Sequence, residues 1–332
     1  MHRRRFLHAS AAALAALASP PSLRAQLRPR ILRLSGPWAS VSFPLLWMAE
    51  RAEFGSLAER IEFLPWRDPD ELRLIALEGR ADFIAMPSNV AATLYNRGLM
   101  LRLQCISAWG LLYLVSRRPS LDRLADLGDE ELGVPFRGDM PEIVLTQLAA
   151  AQGVEARREL RLRYLASPLD AVQLLLSRRL DHALLAEPAV SMVLARSRSG
   201  IVSLFAPELY RTLDLQQAWA DAGLGPARLP QAGIVAVGAA VDDGGLCAEF
   251  AQAHARALGE CMAAPQDCGA IVARRSGRLD AAAVADSLGH SRLEAVNAAQ
   301  ARPELEAFLG RLLAHRPGLI GGRLPESGFY SG

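Results

Sequence analysis

Lysine is absent from this chain: all 37 of its basic residues are arginine. That reflects the base composition of the coding sequence more than any function. Aromatic residues are scarce at 6%, with five tryptophans among them, so each tryptophan has to be weighed individually. Four cysteines, Cys105, Cys247, Cys261 and Cys268, are too few and too dispersed for a disulfide scaffold, and no spacing among them resembles a zinc site. Cys261 and Cys268 flank a proline-containing turn; they either pair across it or stay as buried free thiols. No apolar stretch is long enough to cross a bilayer. No glycine-rich phosphate loop and no cluster of metal ligands occurs. Beyond the first 25 residues the histidines are His182, His254, His290 and His315, scattered and without a Ser or Cys nucleophile motif nearby. No catalytic residue, metal or cofactor is therefore expected.

The amino terminus carries a targeting pattern. Arg3-Arg4-Arg5-Phe6-Leu7 precedes a weakly apolar run from Ala9 to Ala18 and a Pro/Ser/Arg stretch closing on Ala25. A basic region, a short apolar region and a small-residue cleavage site make a secretory signal rather than a membrane span. The paired arginines followed by Phe-Leu point to the twin-arginine export route. Cleavage after Ala25 leaves no cysteine near the new terminus to take a lipid anchor. The expected product is unanchored and periplasmic.

Losing residues 1–25 removes four arginines and no acid, leaving 33 basic against 35 acidic residues. A near-neutral chain lacks the basic face on which nucleic-acid binding depends. The remaining 307 residues, in a sequence that is 51% apolar, suffice for two lobes with separate cores.

One block occurs twice. Residues 70–94 read DELRLIALEGRADFIAMPSNVAATL and residues 170–194 read DAVQLLLSRRLDHALLAEPAVSMVL. Each runs from an acidic start through a Leu-rich helical stretch to an Asp (Asp82, Asp181), a short apolar run, a proline (Pro87, Pro188) and a second helical stretch. Helix, buried strand, helix is the unit of an α/β lobe, and two such lobes facing each other enclose a cleft. Asp68-Pro69 and Ser167-Pro168 supply an N-cap and a first-turn proline ahead of each copy. Strands are predicted at 30–36, 61–66, 82–86, 101–107, 131–136, 161–165 and 232–238. The run 111–117 begins a new unit, and 244–315 reads as helical, broken at Pro265, Gly277 and Pro303. The chain leaves one lobe near 110 and returns near 232, so two connecting strands form a hinge. The predicted organisation is a leader at 1–25, lobe 1 at 30–110 plus 232–332, and lobe 2 at 111–231.

These residues resemble the periplasmic substrate-binding proteins of ABC importers, in the nitrate, sulfonate and taurine group that also includes binders of thiamine-pyrimidine precursors. The resemblance covers essentially all of the chain after the leader. It is carried by Gly79-Arg80-Ala81-Asp82, Met86-Pro87-Ser88, the run Glu131 to Asp139, Glu187-Pro188 and the Gly321 to Tyr330 segment. Gly36-Pro37-Trp38 departs from the looser glycine-containing loop usual in that family and leaves the ligand open. The resemblance implies a two-lobed, type II periplasmic-binding-protein-like α/β fold that is monomeric. It also implies capture of a small solute for delivery to an inner-membrane permease and its ATPase. A lyase or pyrimidine-forming enzyme on the same fold is the alternative, and a ligand-binding module feeding a sensor is a third reading.

Ligands of open α/β sheets lie beyond the carboxyl ends of strands, at helix N-termini. That places Trp38, Ser40, Trp66, Ser88, Asn89, Trp109, Arg137, Gly138, Asp139 and Glu187 in the candidate site. Ser88 and Asn89 either cap a helix or touch ligand. Trp38, Trp66 and Trp109 either line the cleft rim or pack in the core. Arg137 and Asp139 either pair to stiffen their turn or contact ligand. Glu187, ending an apolar strand, must be paired; it either binds a cationic ligand opposite Trp38 or anchors Arg137 across the cleft.

Overall fold

A computed structural model describes residues 29–199 and 208–331; the predicted leader lies outside the described residues. Strands are β1 Ile31–Gly36, β2 Arg60–Pro65, β3 Phe83–Pro87, β4 Leu101–Gly110, β5 Leu112–Ser116, β6 Glu131–Pro135, β7 Arg161–Leu165, β8 His182–Ala186, β9 Tyr210–Asp214, β10 Ala232–Val237 and β11 Arg292–Asn297. The helices of seven residues or more are α1 Phe43–Glu50, α2 Pro69–Leu77, α3 Ser88–Asn96, α4 Met140–Ala151, α5 Pro168–Leu176, α6 Ala189–Ser197, α7 Leu215–Asp221, α8 Gly244–Ala263, α9 Pro265–Ser276, α10 Ala281–Gly289 and α11 Ala298–His315.

The strands form two sheets, ordered β11-β4-β10-β3-β1-β2 and β7-β6-β8-β5-β9. The orders correspond: β2-β1-β3 matches β7-β6-β8, all parallel, and each set continues into antiparallel strands. The duplicated blocks occupy equivalent places, α2-β3-α3 and α5-β8-α6. Their aspartates do similar work at the strand entries. Asp82 accepts the Arg33 backbone N–H at 2.7 Å, and Asp181 holds the Arg117 guanidinium at 3.0 Å. As expected, Asp68 caps α2 through the amides of Asp70 and Glu71, and Ser167 caps α5 through that of Asp170.

The chain is therefore a mixed α/β protein of two lobes, each on its own sheet. It passes from β4 to β5 through Leu111 and returns through Gln231 into β10. These crossings are stitched by two buried glutamines. Gln231 Oε1 accepts the Leu111 N–H at 3.1 Å, while Gln216 accepts from Leu112 N at 3.0 Å and donates to Leu112 O at 3.1 Å. Gln231 also donates to Gln216 at 3.2 Å. Glycine is required at Gly110, where a Cβ would collide with the Gln216 side chain.

Three elements differ from the sequence reading. β9 and β11 were not expected; β11 interrupts the segment read as wholly helical. It is an edge strand held only by an irregular antiparallel pairing to β4, a partner that no local pattern announces. Pro303 does not break its helix, since α11 runs through it. The possible Cys261–Cys268 disulfide is not formed: all four cysteines are free and buried. Among the described residues, no helix is long and apolar enough to cross a membrane.

Candidate functional site

The carboxyl ends of β1, β2, β3, β6, β7 and β8 lead into helices at the junction of the lobes. Two places there behave differently.

At the centre the lobes touch. The Ser40 N–H donates to the Glu187 carbonyl at 3.4 Å, and the Ser40 hydroxyl accepts from Ser291 at 2.9 Å. The Glu187 carboxylate is fully buried; Arg211 donates to Oε1 at 2.6 Å and the Ser191 N–H to Oε2 at 3.0 Å. Burial raises its pKa above the ordinary carboxylate value, against the opposing pull of Arg211. Glu187 is thus paired, but with Arg211 and not with Arg137 as the sequence allowed. Arg211 also lies 5.1 Å over the Tyr113 ring and 3.9 Å from Asp286. Further polar contacts join the lobes nearby: the Tyr113 hydroxyl donates to His290 O at 2.6 Å and Arg292 pairs with Asp214 at 2.7 Å.

Elsewhere between the lobes lies a cavity of about 250 Å³. One wall is the start of α2, with Asp68, Asp70 and Arg73; the other is the β6–α4 loop, with Phe136, Arg137, Gly138 and Asp139, backed by Leu165. The loop is rigid for identifiable reasons. Phe136 has a left-handed backbone, φ 60, and Gly138 follows at φ 80, a region that costs a non-glycine residue energy and persists where surroundings enforce it. Here Phe136 N bonds Leu165 O and Asp139 N bonds Phe136 O, both at 3.1 Å. The Gly138 N–H donates at 2.5 Å to buried Glu142, which also accepts from Arg157 and the Tyr164 hydroxyl. Burial acts to raise the Glu142 pKa, but these donors outweigh it and hold the carboxyl below its ordinary value.

Asp139 is 6% exposed and caps α4 by accepting the Met140 N–H at 2.8 Å. Burial raises its pKa, while Met140 and the charge of Arg73 from the opposite wall act against that. Arg137 is exposed and rests 4.8 Å over the Tyr164 ring. It makes no ion pair with Asp139, so that expected stiffening contact is replaced by the Glu142 network.

The other sequence candidates separate from this cavity. Trp109 is 1% exposed, donates to Glu294 O at 2.9 Å and lies beneath Arg228 at 3.8 Å. Burying an indole of roughly 200 Å² at about 25 cal/mol per Å² is worth about 5 kcal/mol, which favours the core over the rim. Trp66 is likewise buried, donating to Ala85 O at 3.1 Å. Trp38 is half-buried, tilted against Phe63 at 5.9 Å. Ser88 does not cap α3: its hydroxyl donates to Pro230 O at 2.5 Å, tying the helix start to the hinge. Asn89 turns to the carboxy-terminal segment, donating to Leu319 O at 3.5 Å.

Sequence reasoning missed Arg73, Arg211, Gln216 and Gln231. A buried Glu187 demands a partner, but only the pairing of β9 with β5 selects Arg211 among the arginines.

No family model matches this chain, and no curated protein matches it by sequence. Solved structures match its fold. An ABC transporter protein from Parabacteroides distasonis has a TM-score of 0.72 at 20% identity, covering 91% of this chain and 99% of that one. The periplasmic aliphatic sulphonate binding protein SsuA of Escherichia coli gives 0.63 at 16% identity, over 92% and 94%. The periplasmic nitrate-binding protein NrtA of Synechocystis PCC 6803 gives 0.61 at 13%, over 78% and 69%. The chain has the fold of these two-lobed binding proteins.

Proposed function

We propose that this protein is the solute-binding component of an ABC import system, exported by the twin-arginine route and working in the periplasm as a monomer. It captures a small molecule between its lobes and delivers it to an inner-membrane permease with its ATPase. The observation that carries this reading is the interlobe cavity, walled on both sides by loops that follow strand ends. A hinge of two crossings lets such walls separate and close. The lobe boundaries on this reading fall after residues 110 and 231. At about 250 Å³ the cavity is smaller than the roughly 300–1,000 Å³ that drug-sized ligands occupy, which suits a compact solute. The likeness of fold to sulphonate- and nitrate-binding proteins supports the same class of work.

Mature protein purified from its native periplasm is to be analysed by native mass spectrometry for co-purified solute. Small-angle scattering of the free and solute-saturated forms then follows. A bound small molecule, a smaller radius of gyration and a raised melting temperature are expected. Identical scattering profiles with the solute verified as bound overturn closure, and absence of any solute from a broad calorimetric screen overturns the carrier reading.

A further inference from the structure

Lobe 1 carries a second concavity, a groove of about 750 Å³ that shares no lining residue with the interlobe cavity. It follows β2, the last strand of its sheet, which pairs with β1 on one side only. The Arg60 and Trp66 N–H groups donate to Arg30 O and Gly36 O, both at 3.1 Å, so the even-numbered amides of β2 turn toward β1. Alternate residues of an extended strand turn the other way, which leaves the backbone groups of Ile61 and Phe63 without a strand partner. Around that edge stand four arginines, Arg33, Arg60, Arg80 and Arg275, against one carboxylate, Glu62. Arg60 takes Glu62 at 2.6 Å. Arg33, the register neighbour of Glu62 on β1, is exposed and makes no ion pair among the described residues. Arg80 meets Glu78 at 3.8 Å, with both side chains about half exposed, and an ion pair that wet holds its arginine weakly. Arg275 shares the single carboxylate of Glu50 with Arg274.

Charged side chains on an edge strand ordinarily keep other strands away. On β7, the equivalent edge of lobe 2, Arg163 and Arg161 both lie against Glu131, at 3.2 and 4.0 Å. On β2 positive charge is left over, and a surplus of one sign acts as a filter: it repels a basic strand and attracts an acidic one. We propose that the groove docks an extended acidic segment of a partner protein, which adds to β2 as a further strand. Its backbone pairs with Ile61 and Phe63, and its alternate carboxylates meet Arg33, Arg60 and Arg80. The side chains between them turn to the face on which Ile61 and Phe63 pack toward α1. Because the groove and the interlobe cavity have separate walls, a partner held there leaves the cleft free to load and empty. The assignment goes beyond the carrier reading and does not depend on it.

Calorimetric titration of the purified protein with the end-capped hexapeptide Glu-Val-Glu-Val-Glu-Val tests this. Saturable binding of one peptide per protein is expected, weakening as salt is added. Two control peptides are expected to bind tenfold or more weakly: one with lysine in place of glutamate, and one with N-methylated valines, which keeps the charge but cannot pair as a strand. The double variant Arg33→Gln, Arg80→Gln is also expected to lose tenfold or more in affinity for the acidic peptide. Its melting temperature should match that of the wild type, because both side chains are exposed. Absence of saturable binding by the acidic peptide overturns the assignment, as does equal binding of either control or affinity unchanged in the double variant. Inorganic triphosphate binding in place of the peptide would make the groove a small-anion site and overturns it too. None of these outcomes touches the carrier reading, which is judged by solute in the cleft.

Discussion

His254 supplies a measurable pH dependence of stability. It lies on α8, fully buried, stacked 5.9 Å from Phe250, which itself stacks on Phe83 at 3.7 Å. Its Nδ1 faces the Cys105 sulfur at 3.8 Å, and its Nε2 has no hydrogen-bond partner. Burial pushes the imidazole pKa down from 6.5 to about 4, and pushes the Cys105 thiol up to about 12, so the thiol stays protonated beside it. A base with a depressed folded-state pKa takes up its proton first in the unfolded chain. Stability is thus intact above pH 6.5 and is lost as pH falls toward 4. Between pH 7 and pH 5 the linkage amounts to about 2 kcal/mol, at 1.36 kcal/mol per pKa unit. His254→Leu, of similar volume and unable to titrate, removes that contribution while all other groups titrate as before. Urea unfolding at both pH values gives the comparison: the variant is expected to lose about 2 kcal/mol less than the wild type. Equal losses in the two proteins refute the reasoning, because the ring would then be protonated in the folded state or already neutral in the unfolded one.

The remaining predictions concern the lobe 2 side of the junction between the lobes. Arg211→Met strands the Glu187 carboxylate in a site with no water access and is expected to cost about 3–5 kcal/mol. Adding Glu187→Gln should recover much of that loss in a double-mutant cycle read by denaturant unfolding, and independent, additive effects would refute the pairing. Gln216→Leu leaves both backbone groups of Leu112 unpaired in the buried crossing, at about 1–3 kcal/mol each. Hydrogen exchange should accelerate at the Leu112 amide well before it does in the α8 core, and unchanged protection there would count against the role of Gln216.

How much of this was legible in the chain depends on the range of the interactions involved. Residues 70–94 and 170–194 announced their helix-strand-helix units because periodicity, N-cap and proline act within a few residues. The positions of Asp68 and Ser167 as caps follow from the same locality. The two-lobed α/β arrangement was also within reach, since a duplicated unit and two crossings leave few ways to build it. β11 was not, because its six residues become a strand only when β4 offers an edge, and Arg292, Leu293, Glu294 and Ala295 are good helix formers in isolation. The candidate site divided in the same way. Strand ends singled out Arg137, Gly138 and Asp139, which do wall a cavity, but the same rule singled out Trp66 and Trp109, which are buried in the core. Sequence order shows that a residue follows a strand; which way its side chain turns depends on the space left by neighbours far along the chain. Arg73 entered the cavity only through the packing of one lobe against the other, and Arg211 met Glu187 only through the pairing of β9 with β5 within lobe 2. Charges carried by separate lobes are paired by distance in space, and that distance exists only once both sheets have formed and the hinge has set their approach.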